Sequence, residues 1–567
     1  MYRYKCCSGF ATIAYIFYIL STFYVFASHM KSSHHHQKDP IVTVKEGQLR
    51  GLVTKAIQGF SYYSFKGIPY AQPPVGNLRF KAPQPPQPWQ GIRDATQHGP
   101  ICAQFNVTFQ GSEDCLFLNI YTRSLRRNAK LPVMVFIHGG SYYEGSGDSD
   151  TFGADFLIQH DVILVTINYR LELLGFLSLD TPEVPGNAGM KDQVAALRWI
   201  QDNIKQFGGD KNSVTIFGES SGASSVMYHM LSPMSEGLFH KVIAESGTCI
   251  DDWAIATGAV ERAFRAGEVL GKKAKSKKEL LDFFRSLDAP SLTNLTFRTL
   301  TPDEEYRGLP EKFIPGIESK FEGVEAFIDE NPLSLLVKGK INKVPLMFGY
   351  NSGEGLILVD YHITRLDVYN RQPSFYVPRE LAKVISEQKL HEFGERIKAF
   401  YVGNRNITKD DKNIISDMQT DMHFSYNTHR FAYLYSDLAD VYLYRFNYDT
   451  ELNIIKIALG LRELDGVSHA DELFYLFYNY LSRPPYESQK KIRDIVFQVT
   501  KMWTDFAKYG RPASRNCSEI PWTPYTKAKK EYFNIGEEAS LGYYADKRRI
   551  QFWDKLYAES NVPHIGN

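Results

Sequence analysis

The 567-residue chain is predicted to be an α/β protein, a single large domain with a central, mostly parallel sheet, helices on both faces and helical insertions. Three observations predict it. Short apolar runs bounded by turn residues, at 133–137 and 162–167, have the length and composition of strands buried on both faces. Between such runs, Met190, Val194, Leu197, Ile200, Ile204 and Phe207 recur at helical spacing, as the crossover of a parallel pair requires. No repeat or low-complexity linker cuts the chain, which favours one domain over the several that length alone suggests.

Taken in order, residues 41–51 alternate apolar and polar and then turn, predicting a small antiparallel hairpin. Residues 65–76 are rich in Pro and Gly and are expected to be an extended surface-crossing segment. Strands are expected at 133–137, 162–167, 214–217, 241–245, 344–349 and 441–446, and Gly208, Gly209 and Asp210 end the helix that precedes the third of these. Residues 254–343 read as helices and loops inserted between strands.

Composition narrows the function classes. The formal net charge of +1 arises from 65 basic and 64 acidic residues spread without blocks, so no footprint of nucleic-acid or anionic-membrane binding is present. Arg3 and Lys5 precede an uncharged apolar run, and Val25-Phe26-Ala27 offers the small residues of a cleavage site, so residues 1–27 are expected to be a secretory signal. The alternative is an uncleaved signal anchor, since the run approaches the ~20 residues that cross a bilayer. Residues 28–40, with His34, His35 and His36, form a polar linker rather than a metal site, and 41–560 form the remaining domain. Sequons at Asn106, Asn294, Asn406 and Asn516 fit a glycosylated, extracellular chain. Cys102 and Cys115 are close enough in sequence for a local bridge, contributing about 3 kcal/mol in the chain-entropy picture; Cys249 and Cys517 either pair or remain free.

The chemistry centres on Gly218-Glu219-Ser220-Ser221-Gly222, which follows an apolar strand and leads into helix-compatible residues. This reads as a nucleophile elbow, with Ser220 on a sharp strand-to-helix turn. A serine hydroxyl needs a base, and the base needs a carboxylate to hold its tautomer. In the expected order, Glu354 lies on a tight turn after the strand at 344–349, and His469 lies in a loop with Gly466 before it and Asp471 and Glu472 after it. His138-Gly139-Gly140-Ser141 follows another strand, so the N–H groups of Gly140 and Ser141, with that of Ser221, are assigned as an oxyanion hole and His138 as a structural support.

Further stretches carry a resemblance: Phe65 to Ala71, Glu113 to Asn119 around Cys115, Asn168-Tyr169-Arg170, Asp192 to Trp199, then the elbow and His469. Together they resemble the type-B carboxylesterases of the cholinesterase/carboxylesterase family, most nearly the secreted insect enzymes. The resemblance implies the α/β-hydrolase fold, the triad Ser220, Glu354 and His469, a Cys102–Cys115 bridge, and Trp253 as an acyl-pocket wall. Three positions depart from the family pattern: Ser141 stands for a small Gly or Ala, Glu172 for a Gly, and Ser221 for an Ala. The loop from Ala103 to Asp114 has Phe105 and Phe109 but lacks the tryptophan with which cholinesterases hold a choline cation.

The expected function is hydrolysis of small-molecule carboxylic esters through an acyl-serine intermediate, by a secreted enzyme of general or xenobiotic and lipophilic ester specificity. This chemistry calls for no metal and no cofactor. The alternatives are a non-catalytic adhesion protein of the same fold and a specialised hormone or pheromone esterase. Glu219 weighs against the juvenile-hormone type, whose elbow usually carries Gln there.

Overall fold

A computed structural model describes residues 39–512 and 521–566. Its strands are, in chain order, β1 (Ile41–Val44), β2 (Gly47–Arg50), β3 (Leu52–Lys55), β4 (Ser61–Pro69), β5 (Ile92–Asp94), β6 (Gln104–Asn106), β7 (Thr108–Gln110) and β8 (Phe117–Thr122). They continue as β9 (Leu131–Ile137), β10 (Ile163–Ile167), β11 (Gly209–Glu219), β12 (Lys241–Glu245), β13 (Leu346–Asn351), β14 (Val441–Phe446), β15 (Glu531–Ile535) and β16 (Ser540–Tyr543). Eleven of them form one sheet in the order β16-β15-β14-β13-β12-β11-β9-β10-β8-β4-β3. The run from β10 through β15 is parallel, and both margins are antiparallel.

Alternation along the central strands creates a core on each face. Val133, Val135 and Ile137 point to one side, where helix Ala188–Asn203 lays down Met190, Val194, Leu197 and Ile200. Met134 and Phe136 point to the other, among residues that include Ile495, Val499 and Trp503 of helix Lys490–Tyr509. Each such buried side chain contributes about 1.5–3 kcal/mol, so the sheet is clamped from both sides. Long insertions follow β12, β13 and β14, and that after β13 brings Phe375, Tyr376 and Phe393 into a third cluster with Trp553 of helix Lys547–Glu559.

The hairpin at 41–51 forms as predicted, and strands 241–245 and 441–446 have the expected bounds. Residues 65–76 are a correction. Their first part belongs to β4, a nine-residue strand of the central sheet with Phe65 and Ile68 fully buried. The Gly67-Ile68-Pro69 run is accommodated by a register shift between Phe65 and Ile68, with Gly67 at φ 65°. There a Cβ would meet the carbonyl of Gln97 at 2.7 Å, so glycine marks a bulge rather than an exit from the sheet. The signal at 1–27, most of the linker 28–40, Asn516 and Cys517 lie outside the described residues. The thiol of Cys249 is buried and free, and Cys102 and Cys115 are joined.

Candidate active site

The elbow lies where β11 ends and helix Ser221–Leu231 begins. Ser220 adopts φ 57°, ψ −122°, a strained backbone for a residue with a side chain. Its N–H donates to Glu245 O of β12 at 2.8 Å and its carbonyl accepts from Ser224 N at 3.0 Å, so the turn is held from both ends. The flanking glycines are required by the neighbouring strand: a Cβ on Gly222 or Gly218 would stand 2.0 or 2.5 Å from Ile137 O. This close approach of β9 to the turn brings the loop after β9 beside Ser220.

Glu354 follows β13 and is fully buried. Its Oε1 accepts from Asn351 N at 2.6 Å and its Oε2 accepts from His469 Nδ1 at 2.6 Å. The structure therefore brings together the acid and imidazole named from sequence, across 115 residues of chain. On the far side of the ring, His469 Nε2 lies 3.0 Å from Glu219 Oε1, and no hydrogen bond joins the imidazole to Ser220 among the described residues. Burial alone would lower the basicity of His469; the charges of Glu219 and Glu354 and the Glu354 hydrogen bond outweigh it and raise its pKa to about 9.

Glu219 belongs to an acidic layer that sequence reasoning did not identify. β11 and β12 pair Glu219 with Glu245 in register, and Glu472 lies close behind them. Trp503 Nε1 donates to Glu245 at 2.7 Å, and Asn351 Nδ2 and Ser246 Oγ donate to Glu472. Burial and mutual repulsion push Glu245 up to about 8 and Glu472 well above the usual carboxylate range. An acid ending each of two adjacent apolar runs, at 219 and 245, was the available signal.

The loop after β9 has three successive residues at positive φ: Gly140 at 95°, Ser141 at 57° and Tyr142 at 59°. Such a run curls backbone N–H groups around a concavity suited to an anion. The N–H groups of Gly140, Ser141 and Ser221 have no acceptor among the described residues. Tyr142 N donates to Ser221 Oγ at 3.2 Å, so the hydroxyl that replaces the family's usual alanine methyl ties the loop to the elbow helix. His138 supports from behind: it stacks on Tyr169 at 4.5 Å, and its carbonyl accepts from the Tyr169 hydroxyl.

Glu172 also acquires a physical account. It adopts φ 52°, which explains the glycine usual there and costs about 1–2 kcal/mol for a residue with a side chain. Its N–H donates to Tyr142 O at 2.7 Å, and its buried carboxylate accepts from Leu173 N, Thr296 N and Thr296 Oγ1. Backbone and side chain of Glu172 together thus fasten the loop after β9 to the insertion after β12.

Trp253 lies close to the elbow. A Cβ on Gly247 would stand 3.0 Å from its Cη2 and 2.5 Å from Ser220 O. The indole donates to His423 O and packs on Phe424, which in turn packs on the His469 ring at 4.7 Å. Beside the elbow a cavity of about 180 Å³ is lined by Gly139, Gly140, Glu144, Glu219 and Phe474 among others.

One sequence assignment is corrected. Asn106 is buried, and the Nδ2 to which a glycan would attach donates to Glu144 Oε2 at 2.9 Å, so this sequon does not present its amide to solvent. Asn294 and Asn406 are exposed.

A strained serine with unoccupied N–H groups beside it, and a buried carboxylate–imidazole pair close by, can transfer an acyl group. Comparison with known proteins agrees. The juvenile hormone esterase of Tribolium castaneum is 33% identical over 93% of this chain and 95% of its own length. Esterase E4 of Myzus persicae is 36% identical over 88% of this chain and 90% of its own. The crystal structure of the juvenile hormone esterase of Manduca sexta, with OTFP covalently attached, superposes with a TM-score of 0.83 at 30% identity, covering 92% of this chain and all of that one. The sheet and its helices are accordingly an α/β-hydrolase fold, and with residues 38–553 matching the carboxylesterase family, this chain belongs to that family and is a carboxylic ester hydrolase.

Proposed function

We propose that Ser220 is the nucleophile of this ester hydrolase, His469 its general base and Glu354 the carboxylate that orients the base. Ser220 Oγ attacks the ester carbonyl while its proton passes to His469 Nε2. The N–H groups of Gly140, Ser141 and Ser221 hold the oxygen of the tetrahedral intermediate. The imidazolium returns the proton to the departing alcohol, and water then enters by the same path to release the acid. Trp253 walls the acyl side. The observation that carries this reading is the 2.6 Å contact between His469 Nδ1 and Glu354 Oε2, beside a serine held at positive φ.

The test is exposure of the purified protein to diisopropyl fluorophosphate alongside a panel of nitrophenyl and naphthyl esters. One phosphoryl group on the Ser220 peptide, with parallel loss of hydrolysis, is expected. Labelling elsewhere, or undiminished hydrolysis after labelling, would refute the assignment.

The raised basicity of His469 makes a second prediction. Only neutral imidazole accepts a proton, so a pKa near 9 places the acid limb of kcat/KM on the alkaline side of neutrality. Glu219→Gln removes one of the two charges that hold the imidazolium, so the limb is expected to move down by about one unit or more. A pH profile of the variant superimposed on that of the wild type would show that Glu219 does not bias the base.

We further propose a secreted, glycosylated enzyme, with domain 41–560 behind a cleaved signal at 1–27 and a linker at 28–40, and glycans at Asn294, Asn406 and Asn516. Supporting this are the signal-like N-terminus, the Cys102–Cys115 bridge, and the lack, among the described residues, of any helix long and apolar enough to cross a membrane. The favoured substrates are lipophilic esters in general. A specialised hormone esterase is the second reading, favoured by the likeness to two juvenile hormone esterases. A kcat/KM ranking across the ester panel separates the two: a broad profile supports the first, one dominant ester the second.

A further inference from the structure

We infer, granted that the N–H groups of Gly140, Ser141 and Ser221 form the oxyanion hole, that Gln104 is a positioning residue for it, its amide clamping the far end of the loop that carries the first two. Gln104 lies on β6, in the β6–β7 hairpin that the Cys102–Cys115 bridge closes. It is buried, and both halves of its amide are engaged. Its Oε1 accepts from Gly145 N at 2.9 Å and its Nε2 donates to Gly145 O at 3.0 Å, so one side chain takes both backbone groups of one residue. The same Nε2 donates to Cys102 O at 2.9 Å, which fixes the amide beside the bridge. Gly145 in turn packs on the start of the loop, where a Cβ would stand 2.4 Å from His138 Nδ1 and 2.9 Å from Gly139 O.

Two further links run beside this one. The Tyr143 hydroxyl donates to Phe105 O, and Asn106 Nδ2 donates to Glu144 Oε2 at 2.9 Å. Residues 104, 105 and 106 of the hairpin thus hold residues 143, 144 and 145 of the loop.

The loop needs such holding. Ser141 and Tyr142 have φ of 57° and 59°, a backbone that residues with side chains keep only where the surroundings impose it. Ser221 Oγ and the Glu172 N–H fix Tyr142 from one side. At the other end Tyr143 N and Glu144 N both donate to Gly140 O, at 3.0 and 3.1 Å, so a clamp on 143–145 acts on the turn that aims the Gly140 and Ser141 N–H groups. Misplacing such a group by about 1 Å costs about 10²-fold in rate. Glutamine presents a donor and an acceptor on one planar head, whereas glutamate lacks the donor and methionine both.

The test uses an alkyl trifluoromethyl ketone. Ser220 Oγ adds to its carbonyl carbon, the hydroxyl proton passes to His469, and the carbonyl oxygen becomes the oxyanion. Its inhibition constant is measured with kcat and KM for nitrophenyl butyrate, all per active site titrated with diisopropyl fluorophosphate. Gln104→Met, close in shape, is expected to weaken the ketone and lower kcat, each by about tenfold or more, with KM within about twofold of wild type. Tyr143→Phe, which loses one hydroxyl and keeps the ring, is expected to do the same by about threefold, and it decides the matter if Gln104→Met yields no folded protein. Wild-type inhibition constant and kcat per titrated site overturn the proposal, because a purely structural role changes only the amount of active enzyme. A raised KM with kcat unchanged overturns it too. Wild-type enzyme that binds the ketone no more tightly than the corresponding trifluoromethyl carbinol would count against the oxyanion hole itself, whereas tight wild-type binding unchanged in the variants counts against Gln104 alone.

Discussion

Ser220→Ala is expected to lower kcat for nitrophenyl butyrate by about 10⁶, leaving the residual ~10³–10⁴ over water that an oxyanion hole and binding alone supply. Among the described residues no nearby hydroxyl is placed to substitute. Ser221 Oγ accepts from Tyr142 N, Ser224 Oγ donates to Thr248 O, and Ser246 Oγ donates to Glu472. The fold should survive, because alanine occupies the same φ of 57° at similar cost and Ser220 N still bonds Glu245 O. Unchanged thermal unfolding with lost turnover is thus the expected pair of results. Residual activity above about one per cent of wild type, from protein shown free of wild-type contamination, would mean that another group attacks the ester.

How legible this site was in the sequence differs residue by residue, for physical reasons. Ser220 and Glu354 were legible because each sits where a buried strand breaks into a short turn, and His469 because its loop has Gly466 before it and acids after it in the expected chain order. The parallel core was legible for the same reason, since β9, β10 and β12 are nearly unbroken apolar runs. β4 was not, because Gly67 and Pro69 are local breakers whose effect the sheet absorbs through a bulge. The acidic layer was hidden for a different reason: Glu219 and Glu245 become neighbours only through the register of two strands, and Glu472 through a loop more than 200 residues away.

Asn106 and Glu172 carry the same lesson at the scale of one side chain. A sequon reports local sequence, whereas the burial of Asn106 depends on Glu144, 38 residues on. Glu172 stands where the family pattern has glycine, yet it keeps the positive φ and adds hydrogen bonds to Thr296, 124 residues away. Contacts of this separation are set by the packing of insertions against the sheet, which no short window encodes.

Glu354→Gln is expected to lower kcat/KM by about 10⁴, through the tautomer of His469 rather than through lost packing. Glu354 Oε1 accepts from Asn351 N, so a glutamine is held with its carbonyl on that side and its NH₂ toward His469 Nδ1. An amide donor facing Nδ1 forces the ring proton onto Nε2, the nitrogen that must accept from Ser220. The charge of Glu219, whose Oε1 lies 3.0 Å from Nε2, then favours the unproductive tautomer with its proton on that nitrogen. In the proposed mechanism the two carboxylates flanking the ring therefore act in opposite senses, Glu354 preparing the base and Glu219 drawing the ring proton to the nitrogen that faces the serine. Glu354→Gln combined with Glu219→Leu should accordingly recover part of the loss, since the competing charge and its oxygens are gone, whereas independent roles would leave the two effects additive. A loss below tenfold in Glu354→Gln, with the variant's unfolding midpoint unchanged, would show that the imidazole is oriented by some other group.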